Sequence, residues 1–330
     1  MKNKLILFIL ILNVPVFFFL TLELSTRLYQ SITKEKYPIV EKNSFQEHKN
    51  YILRHHVGKK GKDLLWDVTY KLDIDTGYRL NDLIKVSDPS ELIYLLGGSF
   101  PFGQNLNDQE TLAYSIHQLL PNAQIINLSR PAMGPHDSLK QLQSVVSKEA
   151  EGHGSIPRSF YYFIIDDHIG RSVGDLQHFT HLKNTAYYPI SRNGEDLKEA
   201  ITFAQAFPFR ETFFPLFEKS QFLKLFNFNP PLGDRKSISS KDIRHYCLLI
   251  KEMRDSSMPS QFKAVFLPAQ GLIYHKLSSC LEELKIHALD LTMAFSPTAT
   301  IAPGGDLFSD YHPRAKYHKR LAPLIFPDVP

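Results

Sequence analysis

The chain has 330 residues, 43% of them hydrophobic, which allows one large α/β domain with room for an insertion. Its net charge of +4 is too mild for a nucleic-acid partner, and the short cluster Lys59-Lys60-Gly61-Lys62 reads as a solvated loop. Two cysteines, Cys247 and Cys280, exclude a disulfide framework; one bridge is open to them, and two buried thiols are the expectation.

In chain order, the first element is apolar. After Lys2 and Lys4, residues 5–22 read LILFILILNVPVFFFLTL without a charge. That is close to the ~20 residues a helix needs to cross a bilayer, and Asn13 and Pro15 do not forbid a span. Residues 1–22 are therefore expected as a transmembrane anchor. The flanking lysines would hold its N-terminus in the cytoplasm and send the rest of the chain outside. A cleaved signal peptide needs a small-x-small site, which Leu22-Glu23-Leu24-Ser25-Thr26 does not supply.

Residues 23–88 read as a juxtamembrane linker ending in an ordered edge segment. Residues 66–72 alternate like an edge strand, and Asp75-Thr76-Gly77-Tyr78 is a turn. Residues 89–330 carry a strand–helix rhythm. Strands are expected at 92–96, 124–128, 159–165, 264–267 and 287–291, and helices at 110–120, 135–150, 240–253, 273–284 and 314–324. Asp108 is expected to cap the first of these helices, and Pro135 opens the second. The alternation predicts a three-layer α/β fold, a doubly wound sheet of about five parallel strands. Residues 168–238 interrupt it as an insertion dense in histidine, proline and phenylalanine. Its aromatics suit a small satellite core, or a lid or acyl pocket at the mouth of the sheet.

The strand at 92–96 ends on Gly97-Gly98-Ser99. Glycines allow a sharp turn, which would set Ser99 at the carboxyl edge of the sheet, where open α/β folds bind ligands. Gly98 and Gly103 have phosphate-loop spacing, but Gln104 and Asn105 stand where lysine and a hydroxyl residue are needed. The G-x-S-x-G elbow of the α/β hydrolases fails at Pro101. Far downstream, Asp310-Tyr311-His312-Pro313 offers an acid and an imidazole. Together with Ser99 they suggest a triad closed by folding.

His136, at the start of the helix at 135–150, is expected as a surface residue. His178 and His181 have a spacing usable for metal, but no supporting ligand pattern accompanies them, so no metal is assigned.

The set Gly97-Gly98-Ser99, Asn127-Leu128 with its following turn, Asp166-Asp167, and D-x-H-P at 310–313 resembles the SGNH, or GDSL-type, hydrolases over roughly residues 90–325. The resemblance implies the flavodoxin-like SGNH fold and hydrolysis of O-acyl esters without a cofactor. Ser99 would be the nucleophile, His312 the base and Asp310 the acid. Asp306 is the reserve acid, because many members place the acid three residues before the histidine, where this chain has Ser309. The oxyanion hole would draw on the N–H of Ser99, on Ala132 at a glycine position, and on Asp166 at an asparagine position. An ionised carboxylate donates no hydrogen bond. Asp166 would therefore be protonated beside Asp167, or another group would donate, or the site would be inactive. His168 is a further candidate to touch substrate. With the N-terminal anchor, the layout is also similar to bacterial inner-membrane proteins that act on acyl groups of surface glycans. The expected partner is a glycan or small-molecule ester. O-acyl transfer by the same triad, and an inactive glycan-binding module, are the alternative readings.

Overall fold

Residues 39–80 form an antiparallel sheet of four strands: β1 (Ile39–Glu47), β2 (Tyr51–Lys60), β3 (Asp63–Asp73) and β4 (Arg79–Leu80). The computed structural model describes residues 20–25, 27, 39–60, 62–149, 156–175, 178–212, 220, 239–268, 271–297, 305–308 and 311–327. Residues 1–19 of the expected anchor, Asp310, and 176–177, 213–219 and 221–238 of the expected insertion lie outside these. Among the described residues no helix is long and apolar enough to cross a membrane.

Where one edge strand was expected at 66–72, residues 39–80 supply four. Trp66, Val68 and Tyr70 point to one buried face, and Asp67 and Thr69 to solvent. A bulge at Gly58/Lys59 leaves Leu65 without a cross-strand partner, so the sequence neighbours Leu65 and Trp66 are both buried. Trp66 lies over Gly58, where a Cβ would overlap its ring. Leu65, Trp66, Val68 and Tyr70 form one cluster with Phe102, Leu106 and Phe308 of the main domain.

The main domain holds a five-stranded parallel sheet of β5 (Glu91–Leu96), β6 (Ala123–Asn127), β7 (Arg158–Ile164), β10 (Gln261–Phe266) and β11 (Ala288–Asp290). Their spatial order is β11-β10-β7-β5-β6. The short strands β8 (Ala186–Tyr187) and β9 (Ile201–Thr202) pair with each other in the insertion. The helices with both ends described are, in chain order, α1 (Ser99–Phe102), α2 (Leu112–Leu119), α3 (Pro135–Glu149), α4 (Asp167–Val173), α5 (Phe179–Leu182), α6 (Phe203–Ala206), α7 (Ser240–Ser257), α8 (Gly271–Glu283) and α9 (Ala315–Ile325).

Alternation along β5 divides the core in two. Leu92, Tyr94 and Leu96 join Phe160, Tyr162 and Ile164 of β7 under α3, α7 and α8. Ile93 and Leu95 join Tyr161 and Phe163 under α2 and α9. Helices thus cover both faces, as expected for strands that are apolar throughout. Asp108 does not cap α2. Thr111 accepts from Tyr114 N–H at 3.2 Å, while Asp108 pairs with Arg79 at 2.8 Å. Within the insertion, Phe179, Leu182 and Phe203 form a small buried cluster.

Two further expectations change. Cys247 on α7 and Cys280 on α8 are joined as a disulfide rather than left as thiols, because both helices pack on one sheet face with the two Cα atoms 6.4 Å apart. His136 is buried, not on the surface, because residues around β8 and β9 cover the start of α3. Its Nε2 donates to Ser172 O at 2.9 Å, and its Nδ1 accepts from Tyr188 N–H at 3.1 Å. Burial, with His245 adding to it, holds its pKa well below the ordinary value.

His318 on α9 is also enclosed, and burial with help from Arg79 pushes its pKa down to about 3. The unfolded chain binds a proton at this residue below pH ~6.5, whereas the folded chain does not until about 3. Stability from this group is complete above pH ~6.5 and falls by about 1.4 kcal/mol per pH unit below it, levelling off near 3. Urea unfolding midpoints measured between pH 7 and 4 should therefore fall with pH, and His318→Gln should flatten the slope.

Candidate active site

Ser99 stands where β5 turns into α1. Gly97 has φ +143°, and a Cβ there would come within 3.0 Å of Phe163 O on the neighbouring strand. At Gly98 a Cβ would sit 3.0 Å from Arg171 Nη1 and 3.1 Å from His168 Nε2. The two glycines therefore answer to close approach from β7 and α4. The turn closes at Gly103, φ +76°, whose N–H donates to Phe100 O at 3.0 Å. Asn127, at the end of β6, ties it down by donating from Nδ2 to Pro101 O at 2.7 Å.

This is the carboxyl edge of the sheet at its switch point. The chain leaves β5 for β6 on one side and returns to β7 on the other. Ser99 is 5% exposed, and its Oγ lies 3.0 Å from His312 Nε2. The expected nucleophile and base are therefore together. His312 sits on a loop closed by backbone bonds from Phe308 N–H to His312 O and from Arg314 N–H to Asp306 O, both 2.8 Å. Phe308 in turn packs edge-on against Trp66, with ring centroids 5.6 Å apart.

The acid of the expected triad, Asp310, lies outside the described residues. The reserve acid Asp306 is buried, and its Oδ1 accepts from Arg320 Nη1 at 3.0 Å.

After β6, Arg130–Met133 form a turn beside the serine turn, with Arg130 N–H donating to Gly97 O at 3.3 Å. Ala132 has φ +62°, the conformation a glycine adopts freely, and it is exposed. After β7, Asp166 immediately precedes α4 without a capping bond from its side chain and Asp167 begins the helix, both half-buried. Asp167 pairs with Arg171 at 3.5 Å. His168 is buried, with Nδ1 3.1 Å from Tyr162 Oη, and its Nε2 has no partner among the described residues. Burial, with Arg171 and His178 adding to it, pushes its pKa well below the ordinary value and keeps it neutral.

The sequence reading missed Arg171. Its guanidinium is almost wholly buried, donates from Nη1 to Met133 O at 2.8 Å, and touches the space above Gly98. It ties α4 to the turn bearing Ala132, close to Gly98, and pairs with Asp167. The available signal was its position four residues after Asp167 on one helix. His178 bonds Asp175 at 2.7 Å, and no group of three metal-ligating side chains occurs among the described residues.

No family model and no curated protein matches this chain. Among solved structures, it is similar to a member of the lipolytic G-D-S-L family from Veillonella parvula, at 10% identity and a TM-score of 0.39, over 72% of this chain and 97% of that one. A putative lipolytic protein of the same family from Desulfitobacterium hafniense is 14% identical, with a TM-score of 0.38, over 72% and 99%. An acetyl xylan esterase from the rumen bacterium Butyrivibrio proteoclasticus is 10% identical, with a TM-score of 0.39, over 88% and 85%.

The fit around Gly98 is tight enough to test. Gly98→Ala should displace Ser99 and slow its labelling by a fluorophosphonate at least tenfold, with about 1–3 kcal/mol of overpacking cost in thermal unfolding. Adding His168→Ala should restore part of the labelling rate.

Proposed function

We propose that this chain is a serine ester hydrolase acting on O-acyl esters of cell-surface carbohydrate or lipid, O-acetyl esters foremost, through a seryl-acyl intermediate on Ser99. The observation that carries the reading is the 3.0 Å approach of His312 Nε2 to Ser99 Oγ at the switch point of a parallel sheet. Serine is a weak nucleophile until an adjacent base takes its proton, and imidazole is the natural base near neutral pH.

In this mechanism Ser99 Oγ attacks the ester carbonyl carbon as His312 accepts the hydroxyl proton. The carbonyl oxygen becomes an oxyanion, stabilised by the backbone N–H groups of Ser99 and Ala132. The left-handed turn at Ala132 supports the second assignment, since only backbone is needed there. Arg171 pins that turn through Met133 O and pairs with Asp167, next to the Asp166 that stands at the position of a third donor. Collapse of the intermediate breaks the bond to the alcohol, which leaves with the proton from His312. Water, deprotonated by the same imidazole, then releases the acyl group as a carboxylic acid. Asp310 is assigned as the acid that orients His312, and Asp306 as a structural partner of Arg320.

The apolar residues 5–22 support a membrane tether with the catalytic domain outside the cytoplasm. The Cys247–Cys280 disulfide supports the same placement, because such bonds persist in oxidising compartments.

Fluorophosphonate treatment of the intact protein should modify Ser99 stoichiometrically, and Ser99→Ala and His312→Gln should abolish the reaction. A folded protein left unlabelled beside a reactive control esterase would overturn the proposal. Asp310→Asn should lower kcat on p-nitrophenyl acetate by about a thousandfold or more, the loss typical of a misoriented histidine. Asp306→Asn should mainly lower Tm; the reverse outcome would exchange the two assignments.

A further inference from the structure

A cleft of about 330 Å³ opens beside the Ser99 turn, walled by Phe102 of α1, by Ala132 and Met133, and by Arg54, Arg130 and His181. Its residues come from the N-terminal sheet, the loop after β6, and α5. It therefore exists only because that sheet packs against the main domain. Its charge is one-sided. Arg54 donates from Nε and Nη2 to Asn43 Oδ1, at 3.0 and 2.8 Å. Arg130 donates from Nη1 to Thr76 O at 3.3 Å. Both acceptors are neutral, and among the described residues neither guanidinium is paired with a carboxylate. The one acid in the wall, Asp137, is 8% exposed and accepts from Gly134 N–H at 3.2 Å, and burial raises its pKa against the pull of Arg130, Lys140 and Arg171.

Of the buried arginines, Arg79 pairs with Asp108 and Arg171 with Asp167, while Arg210 donates to the backbone oxygens of Val173 and Gly174. The two cleft arginines are half-buried and are held by neutral groups and by packing, with Arg54 5.7 Å from the ring centroids of both Phe45 and Tyr70. That leaves their charge and at least one face of each fork for a ligand. Planar guanidinium groups match carboxylate and phosphate oxygens better than any neutral sugar.

We propose that this cleft binds an anionic group, a carboxylate or a phosphate, on the molecule whose ester Ser99 cleaves. The proposal rests on the esterase reading for the role of that molecule. The substrate class is then an O-acyl ester on an acidic glycan or a phosphorylated alcohol. The anion sits against Arg54 and Arg130, and the scissile carbonyl lies toward the Ala132 turn.

Binding is measured on the full chain carrying Ser99→Ala, so that no turnover intervenes. Calorimetry uses three probes: trigalacturonate, glycerol 3-phosphate, and the neutral xylotriose. At low salt at least one anionic probe should bind tenfold or more tighter than xylotriose, and the gap should close in 0.5 M sodium chloride as the charges are screened. Arg54→Gln and Arg130→Gln should each weaken that probe at least fivefold, and Arg54→Lys should recover part of the loss. Tight binding of one anionic probe alone identifies the carboxylate or the phosphate as the source. Equal affinity for all three probes overturns the proposal. So does undiminished anion affinity in a glutamine variant whose near-ultraviolet circular dichroism is native. If both glutamine variants unfold, the anion preference and its salt dependence in the parent protein decide. Failure of fluorophosphonate labelling would sink the esterase reading and leave this binding result standing.

Discussion

A single polar contact, Ser99 Oγ to His312 Nε2 at 3.0 Å, joins side chains 213 positions apart, and the surrounding structure works to hold it. Neither partner is fixed by its own strand. Ser99 rides on a four-residue helix after a glycine turn, and His312 on a loop before α9. The antiparallel N-terminal sheet steadies both. Tyr70 meets Phe102 of the serine helix edge-on at 5.5 Å, and Trp66 meets Phe308 of the histidine loop at 5.6 Å. Arg79, at the end of that sheet, donates to Gly103 O and Leu106 O and pairs with Asp108, closing the far side of the serine turn. Large buried aromatic rings contribute both area and directional packing, so this arrangement resists the sub-ångström drift that would break a proton-sharing contact.

Charge near the site is arranged by burial as much as by pairing. His168 and His136 are neutral because enclosure penalises the imidazolium, which leaves His312 as the half-buried histidine beside the serine. Asp166 and Asp167 stand where β7 runs into α4, at the edge of the sheet that carries the serine turn. Arg171 pairs with Asp167 from the next turn of α4, and Arg54 and Arg130 line the cleft beyond. Arg171 also joins two loops through Met133 O, so its removal would disturb geometry and potential together.

The alternating strand and helix patterns fixed in advance the parallel layers, the order of the βα units, and the serine at a strand end. Those signals are local: apolar runs such as 92–96 fill strands covered on both faces, and proline at 135 starts a helix. Ser99 and His312 were legible because each stands in a short motif. Residues 39–80 were harder, since one clear alternation at 66–72 hid a meander whose partners are polar and charged on the outer face. The pairing of Cys247 with Cys280 and the burial of His136 depended on which helix faces meet and on what the insertion covers, and no local pattern encodes either.

The sequence by itself determined the fold class, the carboxyl-edge position of Ser99, and a candidate acid–imidazole pair near the far end, because these follow from periodicity and turn chemistry within a few residues. Tertiary structure alone decided that Ser99 and His312 meet, that Arg171 ties α4 to the turn bearing Ala132, and that Arg54 and Arg130 line one cleft. Each of those facts is a distance between segments brought together by buried apolar faces. Hydrophobic burial is non-directional along the chain, so it leaves no mark at any one position from which such a distance could be read.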